Sequence, residues 1–274
     1  MPRPRGRTHP PVLKRYGQHF LTDPTILLRI VDALGARPQD TVVEIGPGRG
    51  SMTDILADRA GRVVGVEIDK LLANQLRQRY ASRTNVEIVE ADVLETDLAA
   101  VGGADFLLIG NVPYYITTPI IFKALEPPIP RRSVFLVQRE MAERMTARAN
   151  TESYGALTVN LAVVANVEIV MGVPAGAFKP PPKVDSSVVR LTPRDDPLVE
   201  TWVLAPFRAF VQAVFGLRRK QFQRVLRTVA DLSVEESAAL LDRVGIDPTA
   251  RPEVVSPEDF ARLFRQLQPA AHRS

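Results

Sequence analysis

Residues 41–50 read Thr-Val-Val-Glu-Ile-Gly-Pro-Gly-Arg-Gly, and a helical run, Ser51 to Ala60, follows at once. An apolar run that stops on glycines at alternate positions is a strand turning directly into a helix. Glycine permits positive φ and lets a ligand approach the backbone closely, at Gly46 and Gly48 above all. The helix points its amino end at the same place. Further apolar runs repeat the unit: Arg62 to Val66 ends in Glu67, Val86 to Val89 ends near Asp92, and Phe106 to Ile109 stops at Gly110. Helical stretches separate them, Leu71 to Tyr80 being the clearest. Strand–helix alternation of this kind predicts an α/β fold with a doubly wound, mostly parallel sheet.

The spacing of the turn discriminates between nucleotide ligands. A dinucleotide fingerprint needs Gly-x-Gly-x-x-Gly, and a phosphate loop ends in Gly-Lys-Ser/Thr. This turn is Gly-x-Gly-x-Gly. An adenosine-type ligand with little or no phosphate remains. Glu67, at the end of one strand, can accept from both ribose hydroxyls, and Asp92, at the end of the next, from an adenine amino group. Two acids at successive strand ends after such a turn fit S-adenosylmethionine better than NAD.

The strand Phe106 to Ile109 reads as buried on both faces, and Asn111-Val112-Pro113-Tyr114 follows it. Pro113 fixes its own φ and pushes Val112 toward an extended backbone, so the turn is stiff. It offers an amide oxygen from Asn111, backbone carbonyls and the aromatic face of Tyr114. Acceptors beside a π surface suit a planar group carrying N–H donors.

Farther on, helices are expected at 117–125 and 154–165, and strands at 133–137, 167–170 and 188–191. Phe178-Lys179-Pro180-Pro181-Pro182-Lys183-Val184 reads as a rigid extended loop. After Pro193 no strand follows, and helices are expected near 198–215, 218–230, 234–243 and 257–267. The boundary at about residue 195 gives a ligand-binding domain over 1–194 and a small helical domain over 195–274. In the latter, 215–227 contains five basic residues and no acid. Leu217, Phe222, Val225, Leu226 and Val229 make an inward stripe that leaves Arg218, Arg219 and Lys220 outward, where they suit phosphate.

Charge placement matters more than the total, since the formal net charge is only +4 although the pI is near 9.6. Residues 1–15 carry five basic residues and no acid, as a flexible tail or an arm touching an RNA backbone would. The absence of cysteine removes disulfides, thiolate metal sites and cysteine nucleophiles, and no metal site is expected. No apolar run spans a bilayer and none follows the basic amino terminus as a secretory signal would, so a cytoplasmic protein is expected.

Taken in order, Gly17-Gln18-His19-Phe20-Leu21, the glycine turn at 46–50, Asn-x-Pro-Tyr at 111–114, Phe-x-Pro-Pro-Pro-Lys-Val at 178–184 and Phe-Gly-x-Arg-Arg-Lys at 215–220 resemble the bacterial small-subunit rRNA adenine-N6,N6-dimethyltransferases, the KsgA family. The resemblance covers nearly the whole chain. His19 stands where that family has Asn, and Val112 where it has Leu. The resemblance implies a Rossmann-like class I methyltransferase sheet with a helical RNA-recognition domain. It implies S-adenosylmethionine as cofactor, with His19, Leu21, Gly46, Glu67, Asp92 and Asn111 at the cofactor-contacting positions. Its substrates would be two adjacent adenosines in the 3′-terminal hairpin of 16S rRNA, each methylated twice in the assembling 30S subunit by a monomeric enzyme.

An exocyclic adenine nitrogen is a poor nucleophile because its lone pair is delocalised into the ring. Asn111 and a carbonyl of the 112–113 turn are expected to accept its two N–H bonds, with Tyr114 on one face of the base and Phe178 on the other. Three other readings compete: a 23S rRNA adenine methyltransferase of the resistance type, a non-catalytic assembly factor, and a nicotinamide dehydrogenase. The triple-proline loop and basic segment oppose the first, the intact Asn111–Tyr114 turn the second, and the glycine spacing the third.

Overall fold

The strands form where apolar runs of five or six residues are bounded by turn residues, and a helix carries the chain back before each parallel neighbour. The computed structural model describes residues 19–268, so the basic segment 1–15 and the Gly17-Gln18 pair lie outside the described residues. In chain order the first half comprises β1 (Phe20–Leu21), α1 (Pro24–Leu34), β2 (Thr41–Ile45), α2 (Ser51–Ala57), β3 (Arg62–Glu67), α3 (Lys70–Arg79), β4 (Val86–Glu90), α4 (Leu98–Gly102) and β5 (Phe106–Asn111). There follow α5 (Thr117–Lys123), β6 (Arg132–Gln138), α6 (Arg139–Met145), α7 (Ala156–Ala162), β7 (Ala165–Val173), β8 (Phe178–Lys179) and β9 (Ser186–Pro193). The chain then turns helical, with α8 (Leu204–Gly216), α9 (Phe222–Val229), α10 (Val234–Val244) and α11 (Pro257–Leu267).

The sheet has the order β4-β3-β2-β5-β6-β9-β7. It is parallel from β4 to β6, and β9 runs antiparallel to both β6 and β7. The chain winds outward from β2 to β4, then returns to the other side of β2 as β5. The crevice between those two strands is the topological switch point, where open α/β sheets bind ligands. Phe106 to Ile109 are all at most 2% exposed, as a strand covered on both faces must be. Val42, Leu107 and Ile109 pack under α1 and α2, while Val43, Phe106 and Leu108 join the core on the opposite face. Each such side chain contributes about 1.5–3 kcal/mol when fully buried.

Local signals set several boundaries. The Asp23 carboxylate accepts from the amides of Thr25 and Ile26, Pro24 opens α1, and Gly35 closes it at φ 67°. A capping box between Ser233 and Glu236 opens α10. Helix α7 starts at Ala156 instead of Tyr154, because Gly155 holds an extended backbone (φ −172°, ψ −168°); Tyr154 before it is buried, and its hydroxyl donates to the Val255 carbonyl at 2.7 Å.

The helix expected from 198 begins only at Leu204, after a 3-10 turn over Thr201–Val203. The helix expected at 218–230 begins at Phe222, so Arg218, Arg219 and Lys220 stand on the exposed turn between α8 and α9. The reversal is held by amide bonds from Leu217 to Val214, Arg218 to Phe215 and Lys220 to Leu217. It lets Phe222, Val225 and Leu226 turn inward, Phe222 meeting Phe260 edge-on. The carboxyl-terminal helices do not close a core of their own: Phe207, Phe222, Leu241 and Phe260 belong to one apolar cluster with Leu157 and Val159 of α7 and Phe135 of the sheet.

Candidate active site

A cavity of about 230 Å³ opens at the carboxyl ends of β2, β3 and β5. Its wall contains His19, Leu21, Gly46, Gly48, Glu67, Asp92, Asn111, Pro113 and Tyr114. Residues up to 95 positions apart in sequence are thus brought to one place by the sheet order.

The glycine turn forms the floor. Gly46, Gly48 and Gly50 all hold positive φ (62°, 59° and 79°), which disfavours any other residue. A Cβ at Gly46 would meet nothing within 4 Å, whereas one at Gly48 would lie 3.0 Å from the Phe20 ring. The first glycine therefore leaves room for a ligand, and the second lets the segment before α1 close down on the turn. That segment is held in place by pairing of β1 with β8, Leu21 opposite Phe178.

Glu67 is 3% exposed, and its two carboxyl oxygens accept from the amides of Gly48 and Asp69, each at 2.9 Å. Burial raises its pKa, against the lowering effect of those amides. A carboxylate has about four acceptor sites, so Glu67 braces the glycine turn and still has capacity for ribose hydroxyls. Asp92 is half-buried at the end of β4 and accepts from the Leu94 amide at 2.9 Å.

Glu44 was not singled out by sequence reasoning, although an acid inside an otherwise apolar strand is itself a signal. It lines the cavity at 1% exposure, and the Thr53 hydroxyl donates to it at 2.6 Å. Burial raises its pKa to about 8; the Thr53 hydrogen bond opposes the rise, and the neighbouring Glu67 and Asp54 reinforce it.

At the other wall, the Asn111 side-chain amide donates through Nδ2 to the His19 carbonyl at 3.0 Å. That bond turns Oδ1 away from the backbone of residue 19 and leaves it as an acceptor. Pro113 (φ −58°, ψ 135°) sets up the 3-10 turn Tyr114–Ile116. Its carbonyl is already engaged, by the Ile116 amide and the Thr117 hydroxyl, both at 3.1 Å. The Tyr114 hydroxyl is 3.0 Å from Ser186 Oγ, and its ring lies 6.0 Å from that of His19 at an interplanar angle of 24°. His19 Nδ1 donates to the Pro180 carbonyl at 2.8 Å, so the imidazole ties the proline loop to the site.

One expected site residue is misplaced. Phe178 does not reach the cavity: it is 2% exposed and packs in the core beneath α1. Its strand pairing with β1 directs the ring inward, so it cannot cover a base. Arg218, Arg219 and Lys220 line no part of the cavity.

The chain matches the family model described as ribosomal RNA adenine dimethylase over residues 12–269. The chain belongs to the ribosomal RNA adenine dimethylase family. A "Ribosomal RNA small subunit methyltransferase A" of Shouchella clausii is 41% identical, with 93% of this chain and 89% of that protein covered. The protein of the same name from Caldanaerobacter subterraneus is 40% identical, covering 93% and 96%. Among solved structures, a dimethyladenosine transferase from Plasmodium falciparum aligns with a TM-score of 0.80 at 26% identity, covering 90% of this chain and 97% of that one. The 23S rRNA methyltransferase ErmE aligns with a TM-score of 0.71 at 34% identity, covering 90% and 99%.

Members of this dimethylase family are S-adenosylmethionine-dependent enzymes, and this chain is one of them. The site fits that cofactor on its own terms. Open space over Gly46 accommodates a ligand against the backbone. Glu67 and Asp92 in the same wall are acceptors suited to the ribose hydroxyls and adenine amino group of such a ligand.

Proposed function

We propose that this dimethylase transfers methyl groups to N6 of two adjacent adenosines in the 3′-terminal hairpin of 16S rRNA, in the assembling 30S subunit, acting as a cytoplasmic monomer. The observation that carries this reading is the tethered Asn111 amide, whose Nδ2 is spent on the His19 carbonyl. Its Oδ1 accepts one N6–H bond of a flipped-out adenine. With the Pro113 carbonyl engaged elsewhere, the Val112 carbonyl accepts the other.

Two acceptors held below the plane of the amine draw the nitrogen toward tetrahedral geometry and free its lone pair, which is electrostatic preorganisation of the reacting group. When bound, S-adenosylmethionine supplies an electrophilic methyl on sulfur. A sulfonium is a strong enough leaving group that the chain needs no strong general base beside Asn111. Leaving the stack to enter such a pocket costs a base a few kcal/mol. Stacking on the Tyr114 face turned away from His19 offsets about 1–3 kcal/mol of that. Glu67 holds the ribose and Asp92 the adenine amino group of the cofactor, with His19, Leu21, Gly46 and Gly48 shaping the floor and rim. Arg218, Arg219 and Lys220 contact RNA phosphates from their turn, so binding weakens as salt rises.

Names of the relatives favour the small subunit, while the ErmE likeness keeps 23S rRNA as the rival target. Purified protein with labelled cofactor should methylate 30S particles and leave 23S rRNA unlabelled, with less label as salt is raised. Label confined to 23S rRNA would overturn the proposed target.

A further inference from the structure

The cavity wall is acidic, with Glu44, Glu67 and Asp92 in it, and Arg49 is the one Lys or Arg among the described residues that line it. Arg49 occupies the variable position between Gly48 and Gly50. Its guanidinium carbon lies 4.3 Å from the Phe20 ring centroid, a cation–π distance. Its backbone is fixed as well, because its carbonyl accepts from Arg79 Nη1 at 2.7 Å. Yet the buried Nε has no hydrogen-bond partner. Among the described residues, no ion pair or hydrogen bond engages the guanidinium.

A buried or half-buried guanidinium without a counter-ion is uncommon, since desolvated donors left unmade are costly. The cofactor supplies the missing anion. Besides its sulfonium and ammonium it carries a carboxylate, and Arg49 is the one Lys or Arg among the described residues of the wall to meet it. A planar guanidinium matches a carboxylate in shape and charge better than any other side chain.

We propose that Arg49 is the binding residue for the carboxylate of the cofactor's methionyl end. Phe20 serves as the platform that holds the cation in place, and Gly48 permits that platform to sit down on the turn. Glu67 and Asp92 then read the nucleoside of the cofactor, and Arg49 its methionyl carboxylate.

The test compares S-adenosylmethionine with its decarboxylated analogue, both sulfonium ions, by equilibrium binding in the absence of RNA. The wild-type protein should favour the carboxylated form by about tenfold or more, the range of a charge-assisted hydrogen bond. Arg49→Gln should lose most of that preference, chiefly through weaker binding of S-adenosylmethionine. Arg49→Lys, which keeps the charge and the apolar stem on Phe20, should retain part of it. 5′-Methylthioadenosine, lacking the whole amino-acid end, should bind the wild type and Arg49→Gln alike. Equal weakening of all three ligands in Arg49→Gln would make Arg49 a support of the loop alone and overturn the proposal. No change with any of them would overturn it equally.

Discussion

Replacing Asn111 with Ala is expected to stop the chemistry: single-turnover methyl transfer should fall about 100-fold or more, the scale seen when one preorganised polar group is removed from a reacting centre. Affinity for S-adenosylhomocysteine should change little, because the other contacts proposed for the cofactor, Glu67, Asp92 and the glycine turn, lie at the ends of different strands. The expectation follows from the two ends of one amide, one tethered and one left as an acceptor. Nδ2 donates to the His19 carbonyl, which fixes the plane of the group, and Oδ1 is thereby aimed without further ordering. Alanine removes the acceptor and the tether together. Quench-flow measurement of label transfer, alongside calorimetry for the cofactor product, separates the two effects. A variant that binds the cofactor product normally and methylates at the wild-type rate would remove Asn111 from the mechanism.

Glu44→Gln is expected to make the protein more stable in alkali than the wild type while leaving it nearly unchanged in acid. The wild-type carboxyl is buried and its pKa is raised from 4.5 to about 8. Between those values the folded chain holds a proton that the unfolded chain has released. The stability that Glu44 contributes is therefore fully present below about pH 4.5 and is lost as pH rises through about 8. Within that window one such group lowers stability by about 1.4 kcal/mol per pH unit. Gln keeps an acceptor for the Thr53 hydroxyl and cannot titrate. Denaturation midpoints measured from pH 5 to pH 9 should thus diverge between the two proteins as pH rises. Parallel curves would mean that Glu44 is ionised in the native state.

Much of the sheet was legible because its signals are local. Phe106 to Ile109 is an unbroken apolar run, and the glycine turn at 46–50 acts within a few residues. The carboxyl-end placement of Glu67, Asp92 and Asn111 followed from those strands, and the structure brings all three to one cavity. What local pattern missed depends on partners far away in sequence. Phe178 is turned into the core by pairing with Leu21, 157 residues upstream. The 217–220 turn stands where a helix was expected, and it sets Phe222 edge-on to Phe260, 38 residues downstream. Glu44, an acid inside an apolar strand, carried a sequence signal, but its bond to Thr53 and its place in the cavity depend on the fold.

The account rests on an adenine amine held between Asn111 and the following carbonyl, facing the cofactor. The most direct measurement is a crystal structure of the protein with S-adenosylhomocysteine and adenosine 5′-monophosphate. The expected result places N6 about 3 Å from both Asn111 Oδ1 and the Val112 carbonyl, with the ring on Tyr114 and the cofactor sulfur behind the nitrogen. A base bound elsewhere, or seated in the cavity with N6 turned away from Asn111, would contradict it.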